Sequence, residues 1–199
     1  SYATSLEAGP DGIVYALIDD ELYRMEKGTD EWDKTIYKFQ NATLAANQNG
    51  TLFVISDFID IVVLISKDKG NTFKSIFRNS NFSLLDAYSF NGNNNNFLMV
   101  YESGGDEVIY RLTDDGSELK KIYSLNVGFP QLCWHPAGFL FIIDPFEGLI
   151  RMDSLGNNVR KINSKAAQAN LLAVKPNENL VSYTYDGDYE SSDFGNNWT

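Results

Sequence analysis

Twelve of the chain's 27 acidic residues fall into five short clusters. They are Asp19-Asp20-Glu21, Asp57 with Asp60, Glu102 with Asp106-Glu107, Asp144 with Glu147, and Asp186 with Asp188. Carboxylates gathered by a fold have three chemical uses. A pair flanking a glycosidic bond works as acid and as base or nucleophile. A set of oxygens holds a hard cation such as Ca2+. A mouth lined by like charge focuses negative potential and draws in an amine or a basic protein segment. The plain alternative is that Asp and Gly form turns well, and recur because the segments carrying them recur. No cluster has the twelve-residue spacing of an EF-hand loop and none specifies a metal. No cofactor is therefore expected, with Ca2+ the one ion left open.

Cys133 and His135 are the sole cysteine and histidine. Two residues apart on a strand they would share a face, so a thiol–imidazole dyad has to be considered. Pro136 follows at once and ends any strand there. Cys133 also lies in the apolar run Leu132-Cys133-Trp134. A buried structural thiol is the expected reading, and one cysteine leaves no internal disulfide.

The elements that position these residues come from a repeat. Five segments begin near Ser5, Leu44, Leu84, Leu132 and Leu171. Each runs from a short apolar stretch through a polar turn into a strongly apolar strand: Ile13–Ile18, Thr51–Ile55, Phe97–Tyr101, Phe139–Ile143 and Leu180–Tyr185. The acidic turn follows, then a third strand that enters a glycine turn. Those glycines are Gly28, Gly70, Gly116, Gly156 and Gly195, spaced 39 to 46 residues apart. A fourth strand comes next in the first four repeats, at Trp32–Tyr37, Phe73–Phe77, Leu119–Tyr123 and Val159–Ile162.

Four short strands in about 40 residues make one propeller blade. The expected fold is an all-β propeller, one domain over 1–199, with blades near 1–40, 41–80, 81–127, 128–167 and 168–199. The last blade stops where its fourth strand should begin. No segment keeps a 3.6-residue period, so Ser164–Asn170 is the one candidate helical turn, and the Asn91–Asn96 tract is read as a loop.

Two glycine turns carry a specific pattern. Ser66-Lys67-Asp68-Lys69-Gly70-Asn71-Thr72-Phe73 and Ser191-Ser192-Asp193-Phe194-Gly195-Asn196-Asn197-Trp198 both read Ser-x-Asp-x-Gly-x-x-aromatic. The Asp accepts backbone N–H groups at a turn, the Gly takes positive φ, and the aromatic opens the next strand and packs inward. The octet resembles the Asp box, or BNR repeat, of a propeller superfamily that includes sialidases and sortilin-type receptors. The resemblance covers the whole chain as a repeat but only these two octets as a motif. The other turns are degenerate: Arg24–Gly28 ends in Trp32, Arg111–Leu119 keeps Asp114 or Asp115 with Gly116, and Arg151–Gly156 has Val159.

In that superfamily the box lies on the face away from the ligand. The resemblance therefore makes Ser66, Asp68, Gly70, Phe73, Ser191, Asp193, Gly195 and Trp198 structural. It places the acidic turns on the ligand face beside the blade-to-blade connections. The ligand-face candidates are Asp19, Asp20, Asp57, Asp60, Glu102, Asp106, Asp144, Glu147, Asp186 and Asp188, with Arg78. Lys38, Arg78 and Lys165 would neutralise some of this charge. Phe39, Phe82 and Phe129 would stack on a sugar or peptide, or pack between blades.

No residues are assigned to catalysis. Sialidases resemble this chain in their boxes but hold a substrate carboxylate with three arginines, and only five arginines are present. Arg24, Arg111 and Arg151 are read at the repeat position of Ser66 and Ser191, leading into the box turn. Arg160 follows a box turn, and Arg78 alone falls near a ligand face. The expected function is a non-catalytic binding or scaffolding propeller for a carbohydrate or protein, and the alternative is a glycoside hydrolase or lyase of the same superfamily. A net charge of −11 and a pI near 4.4 argue against nucleic acid and anionic membrane surfaces. Apolar runs such as Ile59–Ile65 are far too short to insert as a spanning helix. The resemblance implies an extracellular, cell-surface or periplasmic location.

Overall fold

The computed structural model describes residues 3–47, 49–90, 95–102, 105–125, 130–144, 146–162, 164, 168 and 170–199, with side chains omitted for 85–90 and 95. Residues 91–94 of the Asn tract, Phe129, Lys165 and most of 164–170 lie outside this set.

The described strands form five antiparallel sheets, each in chain order from its first strand outward. Blade 1 holds β1 (Ala3–Ala8), β2 (Val14–Ile18), β3 (Glu21–Met25) and β4 (Asp33–Lys38). Blade 2 holds β5 (Ala42–Ala46), β6 (Leu52–Asp57), β7 (Ile61–Ser66) and β8 (Lys74–Asn79). Blade 3 holds β9 (Phe82–Phe90), β10 (Asn95–Glu102), β11 (Glu107–Leu112) and β12 (Leu119–Leu125). Blade 4 holds β13 (Gln131–His135), β14 (Phe139–Asp144), β15 (Gly148–Asp153) and β16 (Arg160–Ile162). Blade 5 has three strands, β17 (Leu171–Val174), β18 (Leu180–Thr184) and β19 (Gly187–Ser191). There Thr199 exchanges backbone hydrogen bonds with Glu190 at 2.9 and 3.0 Å, beside β19 where a fourth strand would pair. The fold is thus an all-β propeller of about five blades, and no α-helix occurs among the described residues.

The burial pattern follows from blade stacking. A central strand is covered on both faces, so it reads as an unbroken apolar run rather than an alternation. Leu52, Phe53, Val54 and Ile55 of β6 are all buried. The outer strands β4 and β8 are largely exposed and mostly polar.

The chain divides into two compact units, 1–121 and 122–199. In the first, Ile13, Tyr15, Leu17 and Leu22 of blade 1 pack on Leu44, Leu52 and Val54 of blade 2. The other face of blade 2, with Phe53, Ile55, Ile61 and Val63, packs on Leu98, Val100 and Leu112. In the second unit, Phe141, Leu149 and Ile162 meet Leu172 and Leu180. Each fully buried side chain of this size contributes about 1.5–3 kcal/mol, so these inter-blade layers are the principal stabilising contacts of each unit.

Candidate functional site

The turns between second and third strands carry the acids. In blade 1, Asp19 and Asp20 form the two-residue connection, with φ of 51° and 66°. Two successive positive φ values belong to the type I′ turn that matches strand twist. Phe39 N–H donates to the Asp20 carbonyl at 2.8 Å. Glu21 accepts Lys34 at 2.5 Å and Lys38 at 2.6 Å. Hydrogen bonds from Lys34 and then Lys38 lower its carboxyl to about 2.

In blade 2, the Asp57 carboxylate accepts the Leu84 N–H at 2.9 Å and the Ser83 hydroxyl at 3.3 Å, tying this turn to the first strand of blade 3. Asp60 pairs with Arg78 at 2.5 Å. In blade 3, Glu102 accepts the Tyr110 hydroxyl and, at 3.4 Å, Lys121. The tyrosine first and the lysine second hold its carboxyl below the usual range against partial desolvation. Asp106 accepts Glu102 N–H through its carbonyl at 2.9 Å. The buried Glu107 takes the Tyr101 hydroxyl.

Asp144 of blade 4 is 2% exposed, and its Oδ1 accepts N–H groups from Phe146 at 2.8 Å and Glu147 at 2.9 Å. Glu147 pairs with Lys161 at 2.8 Å. Asp186 and Asp188 of blade 5 are exposed. Most of these acids therefore hold turns or pair with cations inside their own unit. Among the described residues, no three His, Cys, Asp or Glu side chains are placed to share a metal ion.

The rings named at the connections are packing residues where they are described. Phe39 is buried against Phe73, with centroids 5.1 Å apart, and Phe82 lies between Phe77 and Tyr110. The exposed rings are others, at the tips of the acidic turns. Phe58 is 64%, Phe146 69% and Tyr185 93% exposed. The signal was visible in sequence, since each ring adjoins an acid: Asp57-Phe58, Phe146-Glu147 and Tyr185-Asp186.

Within the first unit one acidic turn borders a cleft of about 550 Å3. Asp19, Asp20, Lys38, Gln40 and Ser56 supply its polar lining, and Phe39, Phe58, Val62 and Leu64 its apolar lining.

The Cys133–His135 dyad does not form. Burial pushes the Cys133 thiol up to about 11. His135 is fully buried, and its Nδ1 accepts the Ala137 N–H at 3.0 Å. Nε2–H then donates to the Glu178 carbonyl at 2.7 Å. Neither ring nitrogen is left to take a thiol proton.

The two octets share one hydrogen-bond pattern. Ser66 Oγ accepts Gly70 N–H at 2.8 Å and donates to Asp68 Oδ1 at 2.7 Å. Asp68 Oδ1 accepts Thr72 N–H at 2.8 Å, and Oδ2 accepts the Thr72 hydroxyl at 2.6 Å. In blade 5, Ser191 serves Gly195 and Asp193 at 2.9 Å, and Asp193 takes the Asn197 backbone and amide N–H groups at 2.8 and 2.6 Å. These donors lower both aspartates to about 2. Phe73 packs into the layer between blades 1 and 2. Trp198 joins the blade 4–blade 5 layer, its indole N–H on the Gly195 carbonyl at 3.1 Å.

The arginines need a correction of one position. Arg24, Arg111 and Arg151 pair across their hairpins with Tyr15, Phe97 and Phe141. The corresponding pairs are Phe53 with Ile65 and Val181 with Glu190. The three arginines therefore match Ile65 and Glu190, while Ser66 and Ser191 match Met25, Leu112 and Met152. One residue along a strand reverses the face. Arg111 and Arg151 stand five residues before their glycines where Ser66 and Ser191 stand four, and Arg24 keeps four only because its turn is one residue shorter. Arg24 and Arg151 face the following blade. Arg24 donates to the Lys69 carbonyl at 3.1 Å and to Asn71 Oδ1 at 2.9 Å. Arg151 donates to the equivalent Phe194 carbonyl at 2.7 Å. Each intact octet is thus held by an arginine from the blade before it, whereas Arg111 pairs with Glu118 of its own blade.

No protein-family model matches the sequence, and no curated protein matches it. Solved structures do match, at low identity. YCF48 bound to a D1 peptide aligns with TM-score 0.65 and 13% identity, over 99% of this chain and 67% of that one. TolB from Acinetobacter baumannii aligns with TM-score 0.63 and 14% identity over 99% of this chain. This chain spans about half of TolB's length, 53%. Penicillium chrysogenum α-L-arabinanase complexed with arabinobiose aligns with TM-score 0.57 and 14% identity, over 98% of this chain and 79% of that one. All three are β-propeller proteins, so the likeness carries the fold and leaves the function open. Among the described residues no helix is long and apolar enough to cross a membrane.

Proposed function

We propose that this chain is a non-catalytic binding propeller of the Asp-box type, recognising a protein or glycan partner through its acidic second-to-third-strand turns. The observation that carries the reading is the exposed ring beside an acid at three of those turns, Phe58, Phe146 and Tyr185. A large ring held out in water adds no burial to the fold, and rings of this kind are what partner surfaces and sugars stack on. Propellers of this fold take both kinds of ligand, a D1 peptide in YCF48 and arabinobiose in the arabinanase. The shared hydrogen-bond pattern of the two octets supports the Asp-box assignment, and an extracellular, cell-surface or periplasmic location goes with it.

A hydrolase reading is less well supported by the acids themselves. Glycoside hydrolysis asks for two carboxyl groups open to the bond. Asp57 is engaged with Leu84 and Ser83, Asp60 with Arg78, and Asp144 is buried. The test is a thermal-unfolding screen with peptides, oligosaccharides and divalent ions, with EDTA controls. A ligand at a hundred times its Kd adds ~2.7 kcal/mol, so a true partner raises Tm measurably. The expected result is a shift with one class that Phe58→Ala, Phe146→Ala or Tyr185→Ala diminishes. Turnover of arabino-oligosaccharides would replace this reading with the hydrolase.

A further inference from the structure

The hairpins between third and fourth strands contain one charge pairing that folding alone does not account for. In blade 1, Asp33 stands directly opposite Arg24. In blade 3, Arg111 forms an ion pair with Glu118. In blade 4 the residue opposite Arg151 is a second arginine, Arg160. Directly opposite residues have Cβ atoms about 4.5–5.5 Å apart, and like charges there are destabilising. Burial and then Arg160 lower the Arg151 guanidinium from its ordinary value, while Asp193 acts the other way. Neither arginine is ion-paired with a carboxylate among the described residues. The residues of 122–199 outside that set include no acid.

We infer that Arg151 and Arg160 together bind one tetrahedral oxyanion, a phosphate or sulfate group, beside the octet Ser191–Trp198. Each guanidinium carries five N–H donors, and the octet takes few of them. Arg151 Nη1 donates to the Phe194 carbonyl at 2.7 Å, and Arg160 Nη1 donates to Asn196 Oδ1. Both acceptors are neutral, and the Nε and Nη2 groups of each arginine have no acceptor among the described residues. Holding the octet does not require the second cation. Arg24 alone makes the two equivalent contacts, to the Lys69 carbonyl and Asn71 Oδ1, with an acid opposite it. The neighbouring aspartates are committed to their own turns. Asp153 accepts Leu155 and Asn157 N–H and the Asn158 amide, and Asp193 accepts Ser191 and Asn197. Lys161, next to Arg160, pairs with Glu147. A planar carboxylate offers two oxygens and fills one guanidinium fork, whereas a tetrahedral oxyanion has oxygens enough for two. The Phe194 ring is 36% exposed, so the apolar part of an ester has a surface to lie on. The site stands apart from the acidic turns and does not depend on the function proposed for them.

The probes are inorganic phosphate, inorganic sulfate, phenyl phosphate and benzoate, titrated into the full chain by calorimetry at constant ionic strength. Phosphate and sulfate should bind. Benzoate should bind about tenfold more weakly or worse, because it forgoes the charge-assisted hydrogen bonds of one fork. Phenyl phosphate binding more tightly than phosphate marks an ester as the source of the oxyanion, and equal binding marks the free ion. Both results support the site.

Variants at the exposed Arg160 then read the pair. Arg160→Gln removes one fork and leaves Arg151 on the octet. Arg160→Glu gives blade 4 the opposite-charge pairing that blade 1 has. Each should weaken phosphate about tenfold or more. Each should also raise the Tm of the free chain, because a like-charge pair is gone. Full phosphate affinity in Arg160→Gln, benzoate binding as tightly as phosphate, or no binding of phosphate and sulfate by the wild type overturns the inference. Should Arg160→Gln lose its fold, Arg160→Lys still decides. It keeps the charge and gives up the fork, and full phosphate affinity in that variant overturns the inference as well.

Discussion

Aspartate does two opposite jobs in this chain. Asp68 and Asp193 turn their carboxylates inward on their own loops, where serine, threonine and asparagine donors hold them. Asp19 and Asp20 supply the bend of their turn through the backbone, both at positive φ, and stand at the edge of a cleft. The octet tolerates little change, because its side-chain donors and acceptors are satisfied by one another within eight residues. The two-residue turn asks only for positive φ, which Asn and Gly adopt more easily. A carboxylate whose donors come from its own loop fixes that loop through its side chain, whereas Asp19 and Asp20 shape theirs through backbone conformation.

The largest effect that probes the architectural side comes from Gly116→Ala. Gly116 sits at φ +75°, and an added Cβ would lie 2.4 Å from the Ile76 carbonyl oxygen. Backbone must move, and overpacking of this kind costs roughly 1–3 kcal/mol on top of the ~1–2 kcal/mol for left-handed backbone. Gly28 has φ +82° and nothing within 4 Å of the same position. Gly28→Ala should therefore lose only the backbone part. Urea unfolding of the two variants separates close approach from φ alone, and equal losses would show that the turn does not press on the preceding blade.

Next in size is Ser66→Ala. Ser66 is 1% exposed, and its hydroxyl is the acceptor for Gly70 N–H. Removing it strands a buried donor, at about 1–3 kcal/mol. Met152→Ser, at the equivalent position of blade 4, should lose stability as well, because an apolar side chain fills that site. A neutral Ser66→Ala would mean that the octet is held by its aspartate alone.

The fold was legible because blade stacking writes itself twice into the sequence. Central strands covered on both faces are continuous apolar runs, and the glycine turns recur between them. The second strands Ile13–Ile18 and Phe139–Ile143 are found as Val14–Ile18 and Phe139–Asp144. Side-chain direction is harder to read. Reading the arginines as the residues that open each box puts them one residue off, because facing is set by hairpin register and not by nearness to the turn. The rings show the same difficulty. Phe39 and Phe82 sit beside connections yet are packed between strands, while Phe58 and Phe146 lie in the acidic turns and Tyr185 at a strand end, where position alone does not give exposure.

Acid should distinguish the two kinds of aspartate by stability. Asp68 and Asp193 are lowered from 3.8 to about 2 by their loop donors. A carboxyl depressed in the folded state stabilises above its unfolded value and loses that contribution as pH falls through its folded value. Urea midpoints should therefore decline between about pH 4 and pH 2. Asp68→Asn with Asp193→Asn should start lower and decline less over that window. Parallel curves for variant and wild type would mean that the octet carboxylates contribute nothing as anions.

The smallest effect has the opposite sign and bears on the cleft. Asp19→Asn with Asp20→Gly keeps the two-residue connection and relieves positive φ at residues that carry a Cβ. It also removes a pair of adjacent like charges. Stability should rise by a few tenths to about 1 kcal/mol, a Tm increase of roughly 1–4 °C for a chain of this size. A turn that becomes more stable when its acids are removed was not keeping them for folding. A fall in stability would mean that Asp19 or Asp20 holds its own loop as Asp68 does, and the distinction between inward and outward carboxylates would fail at this turn.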